Sequence, residues 1–150
     1  MNYILYMAYK GRYKPKHPEK YIGNPTNIIY RSLLERRFMV YCDTFKNILE
    51  WGSEEIVVPY KSPVDNRMHR YYVDFIVKIR NKDGFDETLL IEVKPKKQCA
   101  APKKPKKKTR TYLNEIKTWG VNNAKWKAAS EYAENKGWKF KIMTDETLAP

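Results

Sequence analysis

The stretch that most limits what this chain can fold into is 71–79, YYVDFIVKI, with 88–94, TLLIEVK, one turn further on. Both alternate with the period of two that marks a half-buried strand. In the first, Tyr71, Val73, Phe75, Val77 and Ile79 share one face, and Tyr72, Asp74, Ile76 and Lys78 the other. In the second, Leu90, Glu92 and Lys94 lie opposite Leu89, Ile91 and Val93. The intervening RNKDGFDE carries Asp83-Gly84 at its bend, a hairpin signal that sets the two runs side by side. Asp74 and Glu92 therefore stand where a burial-driven strand places apolar groups, and an unpaired buried charge is costly.

The rest of the chain completes one α/β domain. Residues 1–27 are rich in Lys, Pro, Gly and Asn and read as an irregular basic segment. In RSLLERRFMVYCDTF, Leu33, Leu34, Phe38, Tyr41 and Cys42 recur at helical spacing, and Ser32 with Glu35 forms a capping-box pattern. EEIVVPYKS reads as a strand and SPVDNRMHR as a hairpin loop. NAKWKAASEYAENKG reads as a helix with Trp126, Ala129 and Ala133 on one side and Gly137 as its stop. WKFKIMT closes as a strand. The expected order is helix, three antiparallel strands, helix, strand: a mixed β-sheet flanked by helices.

Charge narrows the partners. The 150 residues hold 30 Lys+Arg against 17 Asp+Glu, a formal net charge of +13, which suits a phosphate-rich partner. No apolar run reaches the length of a membrane span, and MNYILYMAYKGRYKPK lacks the layout of a secretory leader. The expectation is a soluble cytosolic protein. Cys42 reads as core and Cys99 as a free thiol, and neither they nor His17 and His69 have metal-ligand spacing. Residues 94–110 hold Lys94, Lys96, Lys97, Lys103, Lys104, Lys106, Lys107, Lys108 and Arg110 with no acid. The part from 95 to 110 is expected to be a mobile loop that meets DNA phosphates.

Asp74, Glu92 and Lys94 on adjacent strands suggest chemistry. Two carboxylates about 4 Å apart repel by roughly 4 kcal/mol at an effective dielectric near 20, and a divalent cation reverses that sign. Oxygen-only ligands suit Mg²⁺, with Mn²⁺ able to substitute, rather than zinc. Lys94 beside them could hold an attacking water or the phosphate, as metal-assisted phosphodiester hydrolysis requires. The competing reading is a solvated cross-strand ion pair of little energetic weight. Weaker candidates are His69, which reads as an exposed loop histidine or a phosphate contact before it reads as a general base, and Gln98, which touches DNA or nothing. Of Tyr71 and Tyr72, one is expected in the core and the other free to stack on a base. Glu54 and Glu55 precede a strand and read as solvated, with a place near the metal as the lesser alternative.

Asp74 followed by Glu92-Val93-Lys94 resembles the PD-(D/E)xK nuclease superfamily, with Val73 in place of the usual proline. KYIGN, NIIYRSLLERRFMVYCD, ILEWGSEEIVVPYKSPVDNRMHRYYVDFIV and LLIEVKPKKQ resemble the head completion nucleases of T-even-type tailed bacteriophages. The S-x-x-E helix with D and E-x-K is similar, more distantly, to the end-cleaving endonuclease subunits of cut-and-paste transposons. The resemblance implies a restriction-endonuclease-like core and a Mg²⁺-dependent DNA nuclease of the PD-(D/E)xK type acting in head completion, DNA packaging and head-tail joining. It implies Glu35 as a further metal or water ligand, whose plainer role is the helix cap, worth about 1 kcal/mol. It also implies portal or neck proteins as partners, and a place in the host cytoplasm during assembly or in the virion. The alternative is a non-catalytic DNA-binding neck protein with a nuclease-like fold. A basic RNA-binding protein is less suited, since no RNP or KH pattern is present.

Overall fold

The computed structural model of the chain describes residues 9–148. A two-residue strand, β1 (Gly11–Arg12), pairs with β2 (Ile29–Tyr30). Helix α1 (Leu33–Thr44) follows, then β3 (Ile48–Ser53), β4 (Val57–Lys61), β5 (Met68–Tyr72), β6 (Phe75–Arg80) and β7 (Asp86–Val93). A short 3-10 turn over Lys96–Cys99 leads on towards helix α2 (Arg110–Asn135) and strand β8 (Lys139–Met143). The main sheet runs β3-β6-β7-β8, antiparallel except for the parallel β7–β8 pair, and β4–β5 form a separate two-stranded ribbon.

The two faces of the main sheet are covered by different helices. Phe75, Val77, Ile91 and Val93 pack with Leu34, Phe38, Met39 and Cys42 of α1. Ile76 and Leu90 pack on the other face with Trp126, Ala129 and Ala133 of α2, together with Val58, Tyr60 and Tyr71 of the ribbon. This is the mixed sheet flanked by helices that the alternation implied. Helix α1 starts where expected: Ser32 Oγ accepts the Glu35 amide at 3.1 Å. Its last turn is pinned by the N-terminal segment. Lys20 Nζ reaches the carbonyls of Cys42 (2.8 Å), Asp43 (3.1 Å) and Phe45 (3.0 Å), the end of a helix that favours a cation. Buried Asp43 accepts from Tyr13 Oη (2.6 Å) and from the amides of Lys16 (2.7 Å) and His17 (2.9 Å). Gly137 ends α2 with φ +76°, a conformation that costs glycine no Cβ clash.

Several boundaries differ from the sequence reading. Strand β3 was not anticipated, because a bulge between Ile48 and Glu50 breaks its alternation and buries Trp51 and Gly52 in succession. YYVDFIVKI is two strands, not one. It breaks at Val73–Asp74, so Tyr71 and Val73 face α2 while Phe75 and Val77 face α1. The first strand of the expected three-stranded sheet belongs to the ribbon instead, and the hairpin loop is shorter, since β5 already begins at Met68. Helix α2 starts at Arg110, thirteen residues before Asn123, with Thr109 Oγ1 accepting the Tyr112 amide at 3.1 Å. The Lys-rich segment 95–110, expected as a loop, thus contains the 3-10 turn Lys96–Cys99 and ends at a helix start. Residues 1–8 of the expected irregular segment, on which half of the leader-peptide reading rests, lie outside the described residues. Among the described residues no helix is long and apolar enough to cross a membrane.

Candidate active site

The break at Val73–Asp74 is what brings the acids together. Phe75 pairs with Ile91 and Ile76 with Leu90, so one step beyond the ladder Asp74 stands opposite Glu92. Asp74 Oδ2 accepts the Val93 amide at 2.9 Å, which fixes its carboxylate against β7. Glu92 is only 6% exposed. Its Oε2 accepts the Tyr71 hydroxyl, and its Oε1 lies 3.7 Å from Lys94 Nζ. Lys94 in turn donates its amide to the Met143 carbonyl at 2.9 Å, extending the β7–β8 pair by one residue. Asp74, Glu92 and Lys94, singled out in the sequence, thus form one cluster.

The cluster is short of positive charge. Burial pushes the Asp74 carboxyl well above the ordinary range, and the Glu92 charge adds to it. The Val93 N–H and Lys94 pull it back, while Glu35 raises it further. Glu35 is raised too, by burial first and then by Glu54 and Glu92, against the Arg31 N–H it accepts. Every donor here is a carboxylate oxygen, the ligand type of a hard cation. Among the described residues no three His, Cys, Asp or Glu side chains group to hold a metal. Glu35, expected as a further ligand, therefore does not group with Asp74 and Glu92 as a third. Mg²⁺ characteristically takes one or two carboxylates and completes its shell with waters and substrate phosphates, so the pair could hold it.

Glu35 sits near this pair but is turned towards its own helix. Its Oε2 accepts the Arg31 amide at 2.9 Å while its amide donates to Ser32, a reciprocal cap shifted by one residue from the usual box. Arg31 spreads its guanidinium over Glu54, Nε and Nη2 each 3.2 Å from a carboxylate oxygen. Glu54 has φ +55° at the end of β3, an uncommon region for a side-chain-bearing residue, and its amide donates to the Asp74 carbonyl at 3.0 Å. Glu54 was expected to be solvated or, less strongly, to lie near the metal; its side chain is 35% exposed and paired with Arg31, and its backbone amide braces Asp74. Tyr71 as the donor to Glu92, and Arg31 with Glu54, were not legible as site residues. Each depends on contacts between residues 21 or more apart in the chain.

The expected DNA contacts are placed less tightly. His69 Nε2 is 2.7 Å from Asp65 Oδ2, its ring tilted against Tyr60 on the ribbon. Lys96 is tied to the C-terminal turn, its amide on Asp145 Oδ1 and its Nζ on Glu146 Oε2, both at 2.9 Å. Gln98 lies exposed in the 3-10 turn. Lys97, Lys103, Lys104, Lys106, Lys107, Lys108 and Arg110 are exposed, with no acidic partner among the described residues.

Residues 45–145, from the end of α1 to just past β8, match the family of TnsA-like endonuclease N-terminal domains. The chain belongs to this endonuclease family. It is also 42% identical over 146 residues to the head completion nuclease of Enterobacteria phage T4, with 95% of each chain covered. The TnsA-like match contains Asp74, Glu92 and Lys94 but begins after Glu35 and α1. The full-length relative spans that helix as well, so the TnsA-like core and the α1 layer belong to one continuous similarity.

Proposed function

We propose that this protein is a nuclease of phage head completion that hydrolyses DNA phosphodiester bonds with Mg²⁺, in the manner of the PD-(D/E)xK enzymes. The observation that carries the reading is the pairing of Asp74 with Glu92 one step past the ladder, with Lys94 Nζ 3.7 Å from Glu92. Asp74 and Glu92 would hold the cation, which when bound supplies charge neutralisation at the phosphate and a more acidic water. Tyr71 and the Val93 amide fix the two carboxylates, so neither has to reorganise when substrate arrives. Lys94, with its ammonium 3.7 Å from Glu92, would hold the attacking water or stabilise the charge that develops on the phosphate. Mn²⁺ is expected to replace Mg²⁺, since both accept oxygen ligands. Glu35 contributes negative charge beside the pair while its carboxylate caps α1. We place the protein in the host cytoplasm during assembly, with the portal or neck as its docking partner and retention in the virion as the outcome.

The test is cleavage of linear and plasmid DNA by the purified protein and by Asp74→Ala, Glu92→Ala and Lys94→Ala. Activity should require Mg²⁺ or Mn²⁺, stop in EDTA, and fall at least about 100-fold in each variant. Asp74→Ala removes a charge that burial and Glu92 oppose, so its melting temperature in EDTA should hold or rise. Wild-type protein that binds DNA but leaves it intact in both metals would establish the alternative, a neck protein that has kept only the fold.

A further inference from the structure

The β4–β5 ribbon has one face buried and one bare. Val58, Tyr60 and Tyr71 point inward to α2. On the outer side the register sets Val57 beside Tyr72, Pro59 beside Arg70 and Lys61 beside Met68, all exposed. Tyr72 is 48% exposed, a large aromatic left in water two residues before Asp74. Two residues of chain span at most about 7 Å, so its Cα lies within that distance of the Asp74 Cα. Arg70 and Lys61 follow along the same face, with no acidic partner among the described residues. The outer face therefore combines an exposed ring, two residues before Asp74 at the bend that ends β5, with two cations leading away from it.

We propose that this outer face receives the strand to be cut, with Tyr72 stacked on an unpaired base beside the scissile phosphodiester and Arg70 and Lys61 on the phosphates beyond. This deepens the nuclease reading and rests on it for the word scissile. An aromatic platform engages a base by its π-face, which a base held within a duplex does not offer. The substrate class is accordingly DNA with unpaired bases, such as a single strand or a frayed end, rather than intact duplex. The basic segment 95–110 differs in kind: it presents charge without an aromatic platform and favours neither form.

The experiment titrates the full-length protein in EDTA, without cleavage, against a single strand carrying 2-aminopurine and the same sequence as a blunt duplex. Wild-type protein should bind the single strand more tightly and change the 2-aminopurine fluorescence on binding. Tyr72→Ala should weaken single-strand binding by roughly 5- to 150-fold and abolish that change, while Tyr72→Phe keeps both. Arg70→Gln with Lys61→Gln should make the log–log salt slope on single strands shallower by about 1.4, at roughly 0.7 per contact. Tighter wild-type binding to the blunt duplex, or Tyr72→Ala binding the single strand like wild type, overturns the proposal. If Tyr72→Ala fails to fold, an unchanged slope in the Arg70/Lys61 variant overturns it instead. Binding as expected by a protein that never cleaves DNA defeats the nuclease reading alone. A cleaving enzyme indifferent to Tyr72→Ala defeats the ribbon alone.

Discussion

The hydroxyl of Tyr71 donates to Glu92 across the seam between the ribbon and the main sheet, and both residues are buried, 4% and 6% exposed. Burial first, and the Glu92 charge second, hold the Tyr71 phenol far above its ordinary pKa, so it remains a donor at any working pH. Lys125 Nζ sits over the Tyr71 ring, 5.6 Å from its centroid, and adds positive charge behind the pair. Tyr71→Phe leaves a buried carboxylate one donor short. Unfolding in denaturant should show a loss of about 1.5–3 kcal/mol, and cleavage should fall with DNA affinity nearly unchanged. A variant as stable as wild type would mean that the hydroxyl does not hold Glu92.

Glu35→Gln separates the two roles of that side chain. Gln can still accept the Arg31 amide, so the melting temperature should move by less than about 2 °C. The charge beside Asp74 and Glu92 disappears, so cleavage and apparent Mg²⁺ affinity should both drop, by roughly tenfold or more. Normal cleavage across a Mg²⁺ titration removes Glu35 from the site and leaves it a helix cap.

Asp43 gives the fold an acid limit. Burial pushes its carboxyl up, but the Tyr13 hydroxyl and the Lys16 and His17 amides outweigh that and hold it below the usual range. Its contribution to stability is therefore complete above the unfolded value, about 3.9, and is lost as pH falls through the lower folded value. Asp43→Asn should be less stable by about 2 kcal/mol at pH 7, and its stability should decline less steeply than that of wild type below about pH 4. Parallel acid-melt curves for the two proteins would contradict this.

The basic segment should act through charge number. Replacing Lys103, Lys104, Lys106, Lys107 and Lys108 with Gln removes five exposed cations. If all five meet phosphate, the log–log salt slope on duplex DNA becomes shallower by about 4–5, at roughly 0.9 per contact. Binding isotherms over a salt series measure this directly. An unchanged slope would place the segment off the DNA.

What the sequence disclosed followed how local each signal was. Alternation within β6 and β7 put Asp74, Glu92 and Lys94 together before any coordinates, because strand period and a two-stranded register suffice for that. Helix α1 was legible from Ser32 and its buried stripe. The bend at Val73–Asp74 was not, since Tyr71 and Phe75 share sequence parity but face different helices. Glu54 looked like a solvated acid because its role depends on a left-handed backbone and on Arg31, 23 residues earlier. The first turns of α2 were hidden because its Lys-rich approach masks the cap at Thr109, and Leu113 and Ile116 are exposed rather than on a buried stripe.

The site is assembled from contacts of very different reach along the chain. Asp74 meets the Val93 amide within a hairpin, 19 residues apart, whereas Lys94 is anchored by Met143 through a parallel pairing that must wait for all of α2. Local pairings close early and distant parallel ones late, because the loop entropy comes first. In a folding chain the acids are therefore juxtaposed before the lysine is seated, and during synthesis that seating waits until β8 has left the ribosome. Pulse-labelled hydrogen exchange during refolding should protect the Val93 amide ahead of the Lys94 amide, and simultaneous protection would argue for a single concerted step. A nascent or C-terminally clipped chain would then hold the acids without a seated lysine.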